Sequence, residues 1–192
     1  AIDAQVKKLS YYHSFSGMGT DLAGQLSEQI INMCPVPMSK VFFGNSGSDA
    51  NDTNVKIVWF YNNAIGRPNK KKIISRTRGY HGVTIMSAGL TGLKNLHDGF
   101  DLPLSTVRHV RPPHRLWEKA PGATDAQFAQ TLADELETLI LAEGPDTVAA
   151  FIAEPIQAAG GVIVPPNEYF PAITKVLKKY DILLIADEVV TG

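Results

Sequence analysis

The sequence has few of the features that place a protein in a membrane, on a nucleic acid or around a metal. It contains one cysteine, Cys34, so neither an internal disulfide nor a multi-cysteine metal site can form, and we expect a cytoplasmic location. No apolar run approaches the roughly 18 residues of a membrane span, and the net charge of −1 offers no basic surface to nucleic acid. No His, Asp and Glu cluster has the spacing of metal ligands. We therefore expect no membrane, no nucleic acid and no metal as partner.

The two ends of the sequence are unusual for a natural chain. It begins with Ala1 instead of Met, and it stops at Gly192, directly after the apolar stretch "ILLIADEVV". Its 192 residues, 44% of them hydrophobic, are enough for one sizeable core. We expect an internal piece of a longer protein, which forms a single, incomplete domain over residues 1–192.

Segments with helical periodicity alternate with short apolar segments that are typical of buried strands. Helices are predicted over 21–34, 48–66, 124–144 and 169–180, and strands over 41–43, 72–75, 107–110, 147–155 and 181–188. The stretch 87–122 is predicted to be irregular apart from its strand. Because the strands are continuously apolar and alternate with helices, we predict an α/β fold, with a mostly parallel sheet and helices on both faces.

Polar clusters follow four of the predicted strands. "GNSGSD" follows strand 41–43, "RGYHG" follows strand 72–75, and "EP" and "DE" end the last two strands. Ligands of parallel sheets collect beyond the carboxyl ends of the strands. The positions of the four clusters therefore predict an enzyme site at one rim of the sheet.

The stretch "VFFGNSGSDANDT" (41–53) allows three interpretations. Ser46 could be a nucleophile, but the last glycine of the G-x-S-x-G elbow is missing and the candidate His81 precedes the candidate Asp187, against the usual order. The turn could cradle a phosphate with free N–H groups at a helix N-terminus. It could also be only a turn with a helix cap, and this stretch alone does not separate these last two.

The other clusters are equally open when each is taken alone. Asp187 could simply end a strand, or it could be a buried carboxylate that requires a cation such as a protonated pyridine nitrogen. Tyr80 could belong to the core or lie flat on an aromatic ligand. His81 is more often structural than catalytic in such a setting, and Glu154 could merely hold neighbouring loops.

Taken together, and in this order, four strings resemble the class III pyridoxal-phosphate aminotransferases. They are "FFGNSGSDANDTNVK", "RGYHGVT", "FIAEPIQAAGGVIVPP" and "KYDILLIADEVVTG", and the resemblance spans nearly the whole chain. The segments around "YYHSFSGMGT" and "IVWFYNN" are similar to the ω-amino acid or amine:pyruvate branch. The resemblance implies part of the large domain of a fold-type I transferase that acts as a homodimer.

The resemblance also implies roles for individual residues. Ser46, Gly47 and Ser48 match the phosphate-binding turn, and Asp187 matches the partner of the pyridine nitrogen. The residues that match other cofactor contacts are Tyr80 and Val189 on the two ring faces, with His81 and Glu154 beside them. Tyr12, His13 and Phe15 match a segment near the dimer interface and substrate pocket, so that residues 1–20 lead into the domain. Asp49 departs from the family, which usually has Glu there.

The resemblance further implies that one residue of the machinery is absent. The Schiff-base lysine of the family falls after Gly192, so the chain alone should be inactive. For the parent protein we expect transfer of an amino group from an ω-amino acid or amine to a keto acid such as pyruvate, with pyridoxal phosphate. A racemase, mutase or decarboxylase of the same fold, or a non-catalytic domain that binds a phosphorylated ligand, remains as an alternative.

Overall fold

The computed structural model describes all 192 residues, and their contacts fall into two compact units, Ala1–Phe43 and Gly44–Gly192. The prediction of a single domain stays a prediction. No helix is long and apolar enough to cross a membrane. The helices and strands, in chain order, are α1 Ile2–Leu9, α2 Asp21–Met33, α3 Gly47–Ala64, β1 Lys72–Arg76, α4 Ile85–Leu90, β2 Val107–Val110, α5 Arg115–Glu118, α6 Asp125–Glu143, β3 Val148–Ala153, α7 Tyr169–Lys179 and β4 Leu183–Ala186.

The first unit consists of the two helices α1 and α2 with a short 3₁₀ turn between them. Helix α2 starts as predicted, because the Thr20 side chain accepts a hydrogen bond from the N–H of Ala23 at 3.2 Å. Lys8 of α1 donates to Asp21 at 2.8 Å and so ties the two helices together. Within this unit the two helices are thus linked by a salt bridge at the N-terminus of α2.

The second unit is a four-stranded sheet in the order β2-β1-β3-β4, with every neighbouring pair parallel. Helices α6 and α7 pack on one face through a core that includes Ile74 and Phe151. The other face carries Ile73 and Ile152, which pack with α3 and α4. Successive residues of a strand point to opposite faces, so each strand contributes to both cores. The predicted α/β fold with a parallel sheet and helices on both faces is confirmed.

Two local predictions are wrong. Residues 41–43 form no strand, and Phe42 and Phe43 are exposed. A strand exists only through hydrogen bonds to a neighbouring strand, and an apolar run of three residues does not specify that neighbour. The stretch 87–122, predicted to be irregular apart from its strand, contains α5 and most of α4. The sequence marks the start of α4 with Thr84 and Ser87, since the N–H of Thr84 donates to the Ser87 hydroxyl at 3.1 Å.

The N-terminal cap of helix α6, which the sequence predicts, can be tested by substitution. The Thr124 hydroxyl accepts from the N–H of Gln127 at 3.2 Å, and the Gln127 side chain accepts from the N–H of Thr124 at 2.9 Å. We expect Thr124→Ala to lower the free energy of unfolding of the full-length protein by about 1 kcal/mol, as measured by urea denaturation. Thr131→Ala is the matched control, because Thr131 bonds only to the preceding turn of the same helix. Equal effects of the two substitutions would contradict the cap.

Candidate active site

Three strand ends and one helix N-terminus meet around a cavity of about 280 Å³ in the second unit. Strands β1, β3 and β4 each lead into a polar loop at their carboxyl ends, while α3 contributes its first turn. The predicted convergence therefore occurs, although the segment before α3 is not a strand. The residues that line the cavity are Gly47, Ser48, Tyr80, His81, Gly82, Glu154, Ile156, Ala158, Ala159, Asp187, Val189, Val190 and Thr191.

The first turn of α3 presents free donors to this cavity. Ser46 is the N-cap of the helix, and its hydroxyl accepts from the N–H of Asp49 at 3.1 Å. No hydrogen bond within the chain engages the N–H groups of Gly47 and Ser48. Free N–H groups at a helix N-terminus favour an anion. The turn is thus both a helix cap, made by Ser46, and a potential phosphate cradle, made by the next two residues.

Glycines allow the cradle to be narrow. A Cβ atom on Gly82 would lie 2.4 Å from the Ser48 hydroxyl, and a Cβ atom on Gly47 would lie 2.9 Å from a methyl group of Val189. The Ser48 hydroxyl also accepts from the N–H of Val83 at 3.0 Å. Asp49, the departure from the family pattern, still reaches back to accept from the N–H of Asn45 at 3.0 Å. The shorter carboxylate therefore retains a structural contact within the turn.

Asp187 is the centre of a buried hydrogen-bond network. Its Oδ2 atom lies 2.8 Å from Nδ1 of His81 and accepts from the Asn51 amide, also at 2.8 Å. Its Oδ1 atom receives only a longer bond, at 3.3 Å, from the N–H of Val189. His81 is fixed in turn, because its backbone N–H donates to Thr91 at 2.8 Å. The network occupies Oδ2 and leaves Oδ1 for a ligand.

The same contacts determine the ionisation of Asp187. Burial raises the pKa of Asp187, but the hydrogen bonds from His81 and Asn51 and the charge of His81 outweigh burial, so that the pKa lies below its ordinary value of 3.8. The carboxylate is therefore negative at neutral pH. Since an ionised carboxylate only accepts, Nδ1 of His81 carries the proton of that hydrogen bond, while the buried Nε2 atom has no partner in the chain.

Glu154 holds two loops together beside the cavity. Its carboxylate accepts from the N–H of Tyr80 at 2.9 Å and from the N–H of Ala158 at 3.1 Å. These bonds connect the loop after β1 to the loop after β3. The interpretation of Glu154 as a carboxylate that organises its neighbours matches this geometry, and the side chain of Tyr80 is left free, 38% exposed, at the cavity.

Three buried residues that bond to the site were not predicted from the sequence. Asn51 and Thr91 bond to His81 and fix its loop. Arg76, at the end of β1, is fully buried and donates to the backbone carbonyl of Glu154. Their partners lie 30, 10 and 78 residues away in the chain. The only local signal is a polar or charged residue within an otherwise apolar strand, on the buried face of a helix, or directly after a helix.

The segment predicted to lie near the substrate pocket, with Tyr12, His13 and Phe15, belongs to the first unit, Ala1–Phe43. Tyr12 and His13 stack with ring centroids 4.6 Å apart, and the N–H of Phe15 donates to the His13 ring at 3.2 Å. These contacts are local to residues 12–15. Their predicted place near the interface and substrate pocket stays a prediction.

The cavity combines three chemical functions within one space. It has unbonded N–H groups at Gly47 and Ser48, a partly exposed aromatic ring at Tyr80, and an ionised carboxylate at Asp187 whose Oδ1 atom receives only a long hydrogen bond. A ligand that carries a phosphate, a flat ring and a protonated ring nitrogen satisfies all three. No lysine lines the cavity, and no group of three or more His, Cys, Asp or Glu residues could hold a metal ion.

Comparison with known protein families gives a match over the whole chain: residues 1–192 match the family described as aminotransferase class-III. The chain belongs to the class-III aminotransferases. It is 56% identical over 193 residues to the probable gamma-aminobutyrate transaminase 4 of Oryza sativa subsp. japonica. The aligned region covers 100% of the chain and 40% of that protein. It is 54% identical to the vanillin aminotransferase of Capsicum chinense, with 100% and 42% covered.

Solved structures give the same result for the fold of this class-III chain. The omega transaminase from Pseudomonas jessenii in complex with PMP aligns with a TM-score of 0.97 at 56% identity, over 100% of this chain and 42% of that one. A structure described as a transaminase with L-ala aligns with a TM-score of 0.96 at 56% identity, over 100% and 45%. The chain thus spans about two fifths of the length of the relatives it matches.

The narrow cradle leads to a first prediction for the site. In the full-length protein, Gly82→Ala should weaken binding of a phosphate-bearing ligand, with pyridoxal phosphate as the probe, by about tenfold or more. The added methyl group displaces Ser48 by a steric clash, and a small misplacement is costly in a preorganised site. Gly99→Ala is the control: Gly99 also has a positive φ, but a Cβ atom there meets nothing within 4 Å. Equilibrium dialysis measures the affinity of both variants for the ligand. Equal affinities would contradict a role for the close packing of Gly82 against Ser48.

Ionisation of Asp187 leads to a prediction for stability. Because the folded pKa lies below 3.8, the ionised carboxylate stabilises the folded protein above that pH, and this contribution is lost as the pH falls through the folded pKa. The difference in unfolding free energy between the wild type and Asp187→Asn should therefore be constant from pH 7 to about 5 and shrink below pH 3.8. Urea denaturation across this range measures it. A difference that grows on acidification would refute the sign of the shift.

Proposed function

We propose that the full-length protein is a pyridoxal-phosphate-dependent aminotransferase that moves an amino group from an ω-amino acid or amine to a keto acid such as pyruvate. The observation that carries the proposal is the single cavity in which the free N–H groups of Gly47 and Ser48, the ring of Tyr80 and the ionised Asp187 meet. Each group matches a different part of one cofactor. A phosphate cradle alone would fit many ligands, but the Oδ1 atom of the buried carboxylate would then receive only the long hydrogen bond from Val189.

The residues of the chain have separable roles in this proposal. When bound, pyridoxal phosphate supplies a ring that accepts the electrons left by removal of the Cα proton of the amine. Gly47 and Ser48 bind the phosphate, and Ser46 holds their turn in shape. Asp187 keeps a proton on the ring nitrogen, because its free Oδ1 atom is an ionised acceptor. Tyr80 and Val189 border the cavity where they can orient the ring plane.

The names of several relatives support the choice of amino donors. They include gamma-aminobutyrate transaminases, a vanillin aminotransferase and a diaminobutyrate–2-oxoglutarate transaminase. All of them transfer amino groups, and gamma-aminobutyrate and diaminobutyrate carry an amine remote from a carboxylate. The structure described as a transaminase with L-ala supports pyruvate, since alanine is pyruvate with an added amino group. The ω-amino donor and the pyruvate acceptor of the proposal rest on these names.

A second copy of the chain and a lysine from outside it complete the proposal. Val83, Ile85 and Phe100 are each about 70% exposed and line an apolar groove next to Gly82. Contiguous exposed apolar patches are typical of protein interfaces, and this groove therefore supports a homodimer.

The Schiff-base lysine is proposed to lie beyond Gly192, so residues 1–192 alone should be inactive. A cytoplasmic location is proposed from the single cysteine.

The decisive experiment is a titration of the full-length protein with pyridoxal phosphate. We expect a visible absorption band that amine donors bleach and that pyruvate restores. At saturating pyridoxal phosphate, Asp187→Asn should still bind the cofactor but lose nearly all turnover, whereas Asp146→Asn, a substitution outside the cavity, should leave turnover unchanged. A folded protein without the band would refute the cofactor. A band that donors do not bleach would favour the racemase, mutase or decarboxylase alternatives, and phosphate binding without a band would favour a non-catalytic domain.

A further inference from the structure

Asn51 bonds two parts of the site with one amide group. It lies in α3 and is 4% exposed, and its Nδ2 atom donates to Oδ2 of Asp187 and to the backbone carbonyl of His81, each at 2.8 Å. An amide NH₂ group has two hydrogens, so both are used. Rotating the amide by 180° would face its oxygen to two acceptors, which are a carboxylate and a carbonyl. The side chain therefore has a single favourable orientation.

The position of Asn51 in its helix connects the two ends of the proposed cofactor site. Asn51 follows Gly47 by four residues, and residues four apart lie on the same face of a helix. Gly47 belongs to the anion cradle, and Asn51 holds the carboxylate that is proposed to pair with the ring nitrogen. One rigid turn of α3 thus sets the spacing between the cradle and Asp187, although Asp187 itself is 136 residues away in the chain.

The chemistry of an amide suits this place better than a charged donor would. The Asn51 hydrogen bond helps to keep the pKa of Asp187 low without adding a positive charge. A lysine or arginine there would form an ion pair with Asp187 and compensate the negative charge that a ring nitrogen needs. The bond also occupies Oδ2, so that Oδ1 is the oxygen available to the ligand.

We propose that Asn51 is a positioning residue for the cofactor: it orients the Asp187 carboxylate and fixes its distance from the phosphate cradle. This inference rests on the proposed function, because it assigns to Asp187 the ring nitrogen of pyridoxal phosphate. Asn51 itself does not line the cavity. Its effect on the cofactor is therefore transmitted through Asp187 and the His81 loop.

The test measures binding of pyridoxal phosphate to the full-length protein as a function of pH. We expect Asn51→Ala to weaken binding by roughly tenfold to a hundredfold, the usual range for a lost hydrogen bond to a charged group. The acid limb of the binding curve should also move to higher pH, because the pKa of Asp187 rises without its donor. Asn62→Ala is the matched control: Asn62 is buried in the same helix, but it donates only to Val58 of that helix, at 2.9 Å.

A double-mutant cycle separates positioning from a general loss of structure. In an Asp187→Asn background, Asn51→Ala should weaken binding by less than about threefold, because the carboxylate it orients is gone. If Asn51→Ala does not melt cooperatively, Asn51→Ser replaces it in the same cycle. Additive losses, or an Asn51 variant that behaves like Asn62→Ala, would overturn the inference while leaving the proposed function intact. A wild-type protein that does not bind pyridoxal phosphate would refute both.

Discussion

The buried carboxylate of Asp187 is the group around which the rest of the site is arranged. Burying a charge is costly unless hydrogen bonds and opposite charges compensate for it, and here His81 and Asn51 both bond to the same oxygen. These two residues belong to different elements, the loop after β1 and helix α3. The need to stabilise one charge at the end of β4 therefore brings three separate parts of the chain into a fixed arrangement.

The parallel sheet explains why this arrangement is possible. All four strands run in the same direction, so the loops at their carboxyl ends lie along one edge of the sheet. Glu154 then connects the loops after β1 and β3 through two backbone N–H groups. The buried Arg76 side chain, at the end of β1, donates a hydrogen bond to the backbone carbonyl of Glu154. The apolar cores pack against both faces of the strands, and these polar contacts connect the strands to the loops that line the cavity.

The amount that the sequence predicts depends on how local each feature is. The bounds of β2 and the cap of α6 follow from short patterns, and both agree with the structure. The convergence of Tyr80, Glu154 and Asp187 on one cavity could be predicted because each follows an apolar strand at a position where parallel sheets bind ligands. The absent strand at 41–43 shows the opposite case, since its local pattern was favourable but pairing is not a local property.

Residues whose role lies in a distant contact could not be found in this way. Asn51 resembles any polar residue in the first turns of a helix, and only the folded chain brings it within 2.8 Å of Asp187. The same holds for Thr91, which accepts a hydrogen bond from the backbone of His81. In physical terms, the sequence specifies which groups require compensation, namely a buried carboxylate and a histidine. It does not specify which of many polar side chains will supply it.

A crystal structure of the full-length protein with bound pyridoxamine phosphate would show whether Asp187 and the first turn of α3 hold one ligand. We expect phosphate oxygens within hydrogen-bond distance of the N–H groups of Gly47 and Ser48. The ring nitrogen should lie against Oδ1 of Asp187, with Oδ2 still bonded to His81 and Asn51. A ligand whose phosphate lies elsewhere, or whose ring nitrogen does not contact Asp187, would contradict this expectation.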